Sequence, residues 1–208
     1  KAWAEGYANH STHEVKIISL PGRFWKWRMH GGAVTLAKRC RKLNFNPDFI
    51  LATDMLNLPV FQSLVKPECP VAIYFHENQF TYPWSPNDED VELQRDKHYG
   101  FINYSSALSA DNVYFNSQFH LDSFFTGLED FLRQFPDYRE IQNIDKIEEK
   151  SSVLHLGMDL MKFDDYKVEK GGNEIPLILW NHRWEYDKNP EAFFYALIQS
   201  SQMGSKFN

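Results

Sequence analysis

The sequence predicts an α/β protein built on a doubly wound parallel sheet, and three observations carry that expectation. Apolar runs of four to six residues recur along the chain, too short for helices and rich in Val, Ile, Leu and Phe. Between them lie longer stretches whose apolar residues fall at helical spacing. Most of the apolar runs stop abruptly at polar or turn-forming residues. Strands alternating with helices pair in parallel, because each helix serves as the crossover that a parallel connection requires.

In chain order, Lys1–Ala8 has helical composition. Glu14–Leu20 alternates and then turns apolar, as a strand does, and Pro21-Gly22 ends it. Gly31–Leu43 reads as a helix with Ala33, Leu36, Ala37 and Cys40 on one face. Phe49–Ala52 is a short buried strand, and a helix follows over Leu58–Val65. Pro70–Phe75 is the next strand, His98–Leu108 the next helix and Asn112–Phe115 a further strand. Ser117 is placed to cap a long helix that runs through Phe135. Asp137–Lys150 is charge-rich and reads as a surface excursion, after which Val153–Leu156 resumes the strand pattern. Tyr166–Glu174 has linker composition, with a glycine pair and mixed charges. Ile178–Trp180 is the last strand, followed by a helix over Pro190–Gln199.

A parallel sheet rarely opens on a bare helix, so the chain is expected to be a fragment. Its first domain, residues 1–168, would lack an opening strand, and residues 169–208 would be the beginning of a second domain.

Hydrophobic residues make up 43% of the 208 and charged residues 24%, which fits a globular protein rather than a disordered one. Phe, Tyr and Trp reach 16%, enough for a large core and for exposed stacking surfaces. No stretch approaches the roughly 20 apolar residues of a membrane span, and no signal peptide opens the chain. Cys40 and Cys69 have neither metal-ligand spacing nor a disulfide framework, so a reducing, cytoplasmic setting is expected.

The net charge is -6, but it is unevenly spread. Arg23, Lys26, Arg28, Lys38, Arg39, Arg41 and Lys42 fall in one segment without any Asp or Glu, leaving 15 basic against 28 acidic residues elsewhere, or -13. Phe24, Trp25 and Trp27 are interleaved with the cations. Cations with flat side chains suit RNA with unpaired bases. An amphipathic helix with a solvated basic face, preceded by a loop that buries its tryptophans, accounts for the same pattern.

In a parallel sheet, ligands sit beyond the carboxyl ends of the strands, so the residues there are the candidates. After the strand at Val71–Phe75 come His76, Glu77, Asn78 and Gln79. Such a run can grip sugar hydroxyls, and His76 or Glu77 could move a proton; a polar turn that satisfies its own backbone is the plainer reading. A zinc-protease site is excluded, because no His follows His76-Glu77 at the required spacing. Asn116 and Ser117 leave the next strand, Ser117 reading as a helix cap and Asn116 as cap or ligand. Gly157 and Asp159 read as structural. Beyond Ile178–Trp180 stand Arg183 and Lys188, just before a helix. Two cations and a helix N-terminus can neutralise a diphosphate, although ordinary surface charges have the same spacing.

Together these blocks resemble a known family. Val153–Phe163, with Gly157, Asp159 and Phe163, resembles the Asn-Gly-Val-Asp-x-x-x-Phe element of family-4-type glycosyltransferases, with Leu156 in place of the usual Asn. Arg183 and Lys188 match the Arg-x4-Lys of the same enzymes. Tyr74-Phe-His-Glu-Asn-Gln79 with Tyr82-Pro83, Tyr99-Gly-Phe-Ile-Asn-Tyr104, Phe115-Asn-Ser-Gln-Phe119 and His182-Arg-Trp-Glu-Tyr-Asp-Lys188 look like the tRNA-queuosine alpha-mannosyltransferases.

The resemblance implies a GT-B architecture of two Rossmann-like domains, and transfer of mannose from GDP-mannose to the queuosine base of a tRNA anticodon loop with retention of configuration. It implies no metal or other cofactor, Arg183 and Lys188 binding the donor diphosphate, His76 and Glu77 as catalytic residues, and Asn78, Gln79 and Asn116 as substrate ligands. The basic segment Arg23–Lys42 would then position the tRNA. The fragment alone is expected to be inactive. A lipid or polysaccharide acceptor, and a non-catalytic RNA-binding module, are the competing readings.

Overall fold

The computed structural model describes residues 2–85, 88–93, 95, 97–166 and 175–208. Its helices are α1 (Ala2–His10), α2 (Trp25–Cys40), α3 (Leu58–Val65), α4 (Glu89–Glu92), α5 (Lys97–Ser109), α6 (Gln118–Arg133), α7 (Asn143–Glu148) and α8 (Pro190–Gln202). The strands are β1 (Ile50–Thr53), β2 (Val71–Phe75), β3 (Asn112–Phe115) and β4 (Ser151–Val153). They form one sheet in the order β1-β2-β3-β4, with every neighbouring pair parallel. This is the α/β architecture that the alternation predicts, with no reversal of strand order among the described strands.

The chain divides into two compact units. One runs through Tyr82 and adds Glu89–Gly157; the other is Met158–Asn208 with the short segment Pro83–Asp88. The linker expected over Tyr166–Glu174 falls, apart from Tyr166, on residues outside those described.

Every residue of β2 is buried, as a central parallel strand requires. Val71, Ile73 and Phe75 face the helices and join Ala52, Val113 and Phe115 in one apolar cluster. Phe61 of α3, Ala107 of α5, Phe124, Leu128 and Leu132 of α6 and Ile147 of α7 complete it. Phe75 and Phe115 are register partners with rings stacked 5.3 Å apart, and Phe124 lies 4.9 Å from each. Each such side chain contributes roughly 1.5–3 kcal/mol on burial. The other face of β2 presents Tyr74, on which Trp3 of α1 stacks at 4.8 Å.

Local signals set several boundaries. Asn57 caps α3 by accepting the Val60 N–H, and Pro59 stands in the first turn. Ser117 caps α6 by accepting the His120 N–H.

Five expectations need correction. The strand read over Val153–Leu156 lies instead at Ser151–Val153, where its ladder with β3 forms. Glu14–Leu20 forms no strand: its alternation is real, but no described strand pairs with it, and a strand exists only through its ladder. Instead Arg39 Nη1 donates to the Ser19 carbonyl at 2.5 Å. α2 begins at Trp25 rather than Gly31, because half-buried Trp25, packed on Tyr99, and buried Met29 continue the stripe of buried Ala33 and Ala37 at four-residue spacing. Gly31 admits a neighbour: the Trp27 ring lies against it, where a Cβ would meet the ring at 2.9 Å. The segment after Asp137 is more than a surface excursion, since α7 buries Ile147 completely. Ile178–Trp180 pairs with no strand among the described residues, and Ile178 N–H donates instead to the Asn208 carbonyl.

Gly127 of α6 sets how closely that helix approaches the Phe80–Thr81 turn. A Cβ there would sit 2.7 Å from Phe80 Cβ and 3.1 Å from Thr81 Cγ2. Gly127→Ala is therefore expected to lose about 1–3 kcal/mol through overpacking, despite its better helix propensity. The midpoint of denaturant unfolding checks this; an unchanged or raised midpoint contradicts it.

Candidate functional site

Because the sheet is parallel, β1, β2 and β3 deliver their last residues to one edge. Asp54 leaves β1, His76–Gln79 leave β2, and Asn116 and Ser117 leave β3. His155 follows β4 nearby, its Nδ1 donating to the Asn116 carbonyl at 3.2 Å.

His76 is half-buried, with its ring between Trp3 (5.0 Å, edge-on) and Tyr74 (4.7 Å). Its N–H donates to Asp54 Oδ1 at 3.1 Å, and its carbonyl accepts from Asn116 Nδ2 at 2.9 Å. Burial lowers the imidazole below its ordinary value, which favours the neutral, proton-accepting form. Glu77 is also half-buried; burial raises its carboxyl, while a 3.4 Å hydrogen bond from Gln79 Nε2 opposes the rise.

Asn78 and Gln79 are buried at 4% and 6% exposure. Asn78 Oδ1 accepts from the N–H groups of Phe80 and Thr81 and from the Thr81 hydroxyl, closing the turn that follows. Gln79 N–H donates to Asn103 Oδ1 at 2.8 Å, and Gln79 Oε1 is buried without a partner.

Asn116 gathers the edge together. Its Nδ2 faces a carbonyl, which fixes the amide orientation, and its Oδ1 accepts from Ser117 Oγ and His120 Nδ1, both at 3.1 Å. An amide oxygen only accepts, so Nδ1 of His120 carries the proton and Nε2 is a buried acceptor without a donor. Burial, and then the neighbouring His76, lower the His120 imidazole.

Asp54, Asn103 and His120 were not among the sequence candidates. Asp54 had a usable signal, being a carboxylate at a strand's exit. Asn103 and His120 are polar residues on the buried faces of α5 and α6, which single-sequence spacing does not distinguish from solvent-facing ones. Asp54 is 3% exposed; burial raises its carboxyl to about 7, the His76 N–H pulls it back, and the Glu77 charge raises it further. Asn103 joins the two loops, donating from Nδ2 to the Asp54 carbonyl at 3.1 Å. Polar groups with shifted protonation gathered at a strand-end edge have the character of a functional site. They can orient hydroxyl groups and exchange a proton. Among the described residues, no group of three or more His, Cys, Asp and Glu side chains is arranged to hold a metal ion.

Arg183 and Lys188 lie in the second unit, on the approach to α8. Arg183 is exposed, and Lys188 closes the 3-10 turn Tyr186–Lys188. Lys188 Nζ pairs with Asp187 at 2.8 Å, and this contact holds the Asp187 carboxyl below its ordinary value. Asn189, left-handed at φ 48°, caps α8 by accepting the Ala192 N–H, and Pro190 takes the first helical position. Trp180 packs on Phe193 at 4.6 Å, and Trp184 stacks on Phe194 at 5.3 Å.

On α2 and its flanks, Arg23, Lys38, Arg39, Arg41 and Lys42 are exposed, whereas Lys26 and Arg28 are half-buried. Lys26 Nζ lies 2.6 Å from Asp90 Oδ2, so that charge is compensated. Trp25 packs 5.2 Å from Tyr99, leaving Phe24 (78% exposed) and Trp27 (69%) as the outward flat side chains. Ile17, Ile18, Ser19, Arg39, Lys42 and Leu43 line a surface groove of about 450 Å³. No helix among the described residues is long and apolar enough to cross a membrane.

A family model described as "tRNA-queuosine alpha-mannosyltransferase N-terminal" matches residues 1–158. The tRNA-queuosine alpha-mannosyltransferase of Drosophila melanogaster is 36% identical over 202 residues, covering 92% of this chain and 51% of that protein. The chain thus spans about half the length of the curated relative it matches.

Proposed function

The chain belongs to the tRNA-queuosine alpha-mannosyltransferase family, and on that premise we propose that the full-length protein transfers mannose from GDP-mannose to the queuosine base of a tRNA. The observation that carries this reading is the strand-end edge, where half-buried His76 and Glu77 stand on a loop fixed by Asp54, Asn103 and Asn116. A neutral His and a carboxyl beside it suit a polyhydroxylated ligand, whose hydroxyl groups they can orient by hydrogen bonds.

In the proposed reaction, the bond from the mannose anomeric carbon to the diphosphate oxygen breaks. A bond from that carbon to a queuosine hydroxyl oxygen forms on the same face, which retains configuration. The hydroxyl proton passes to the departing diphosphate. Arg183 and Lys188 would stabilise the charge on that diphosphate in a GT-B arrangement of two Rossmann-like domains. His76 and Glu77 would hold the sugar, with Gln79 and Asn116 behind them. Arg23, Arg28, Lys38, Arg39, Arg41 and Lys42, with Phe24 and Trp27, would receive the tRNA; Lys26 would serve the fold through Asp90.

Incubation of the full-length protein with GDP-mannose labelled in the sugar is expected to label queuosine-containing tRNA and to leave the same tRNA lacking queuosine unlabelled. Label in glycolipid or polysaccharide alone would favour the other acceptors. Lys38→Glu with Arg41→Glu is expected to weaken tRNA binding at least about tenfold at low salt and to flatten the salt dependence by about one to two phosphate contacts. Unaltered affinity and slope would place the RNA elsewhere.

A further inference from the structure

α2 keeps two consecutive glycines in its interior, where only proline is less favourable for a helix. Gly32 lies on the buried side, toward Leu20. Gly31 serves the outer side: the three atoms nearest to a Cβ there all belong to the Trp27 indole, Cζ2 at 2.9 Å, Cε2 at 3.0 Å and Nε1 at 3.3 Å. Any other residue would push the ring off the helix. Glycine thus seats the indole against the backbone, and the residue still remains 69% exposed. Phe24, three residues earlier, has φ 53° and ψ 54°, left-handed values that a bulky residue rarely adopts. It makes no side-chain cap hydrogen bond and is 78% exposed, so neither capping nor core packing accounts for it. From Trp27 the outward face continues through exposed Val34, Lys38 and Arg41 at helical spacing, and no Asp or Glu occurs between Arg23 and Lys42.

Resting on the reading of this chain as tRNA-directed, we propose that α2 is a platform for one unpaired nucleotide of an RNA strand: Trp27, seated on Gly31, and Phe24 stack on the base, while Lys38, Arg41 and Lys42 hold phosphates of the strand leading away from it. A helix advances about 1.5 Å per residue, so Arg41 stands roughly 21 Å along the axis from Trp27. A strand stacked at roughly 3.4 Å per nucleotide covers that span in about six nucleotides. Stacking needs a base with a free face, which a single strand or loop offers and a duplex interior does not. An anionic membrane would attract the same cations, but a helix lying in a membrane surface carries its apolar and basic residues on opposite faces. Here rings and cations follow one another along a single face, as an extended polyanion with flat side groups requires.

The test measures binding of the full-length protein to a single-stranded oligoribonucleotide, to a fully paired RNA of the same length, and to vesicles of phosphatidylserine and phosphatidylcholine. Trp27→Ala is expected to weaken binding of the single strand about 10–100-fold and to leave the paired RNA within about twofold. Trp27→Phe keeps a ring and should recover part of that loss. Gly31→Ala changes no charge and favours the helix, so the midpoint of denaturant unfolding should hold or rise while single-strand binding weakens at least about threefold. Lys38→Glu with Arg41→Glu should weaken both RNAs alike. Equal losses for single-stranded and paired RNA in Trp27→Ala, or no loss for either, overturn the proposal. Wild-type affinity for the single strand in Gly31→Ala overturns it too, as does vesicle binding that falls in Trp27→Ala while single-strand binding holds. None of these measurements needs mannose transfer. A full-length protein that binds RNA in this way but transfers no mannose would count against the functional reading alone.

Discussion

Replacing Arg183 by Ala in the full-length protein is expected to lower kcat by about 10²–10³-fold, with a smaller change in KM, because a preorganised cation aimed at the leaving group acts mainly in the transition state. Arg183 is exposed on the approach to α8, whereas Lys188 is already paired with Asp187. The two cations should therefore not behave alike. Lys188→Ala removes one charge and the cation paired with the Asp187 carboxylate, so its KM should rise more than that of Arg183→Ala. Arg183→Lys keeps the charge but loses the planar two-point geometry, and should recover part of the rate. Steady-state kinetics with GDP-mannose and queuosine-containing tRNA decide the matter. If Arg183→Ala turns over within about threefold of wild type, Arg183 is not at the leaving group and the donor assignment must be abandoned.

What the sequence revealed, and what it concealed, follows from the range over which each interaction acts. α3 and β3 lie where the sequence places them, over Leu58–Val65 and Asn112–Phe115. The Asn57 and Ser117 caps act within four residues, so they are written locally. Glu14–Leu20 has a strand's alternation, but pairing is a property of two segments, and one segment's pattern cannot report it. The helix read over Gly31–Leu43 starts six residues earlier, at Trp25, and only the folded chain shows the Trp27 ring lying against Gly31.

At the candidate site, His76, Glu77, Asn78, Gln79 and Asn116 were visible as polar residues at strand exits. Which way each faces was not. Asn78 turns its oxygen to the backbone of Phe80 and Thr81. The residues that fix the loop come from far along the chain: Asp54 meets His76 across 22 positions, and Asn103 meets Gln79 across 24. No local periodicity encodes such a meeting.

The loop's dependence on those distant partners makes Asn103→Ala the most damaging single change expected in the first unit. Asn103 is 1% exposed and sits on the buried face of α5, one turn before Ser106. Ser106 does similar work, accepting the Leu58 N–H and donating to the Leu56 carbonyl. α5 thus presents polar side chains that satisfy the backbone of the β1–α3 connection, and Asn103, beside the direct Asp54–His76 hydrogen bond, joins that connection to the loop after β2. Alanine at 103 strands the Gln79 N–H and the Asp54 carbonyl, each at about 1–3 kcal/mol if left unpaired. A domain of this size shifts its melting temperature by about 2–4 °C per kcal/mol, so a fall of about 5–15 °C is expected. Mannose transfer should fall with it even well below the melting temperature, because the loop has lost one of the three side chains that fix it. Asn103→Asp keeps an acceptor for Gln79 but sets a third carboxyl near Asp54 and Glu77, and should be no better. A melting temperature within about 2 °C of wild type, with transfer intact, would mean that water replaces the amide and that the loop holds its shape without Asn103.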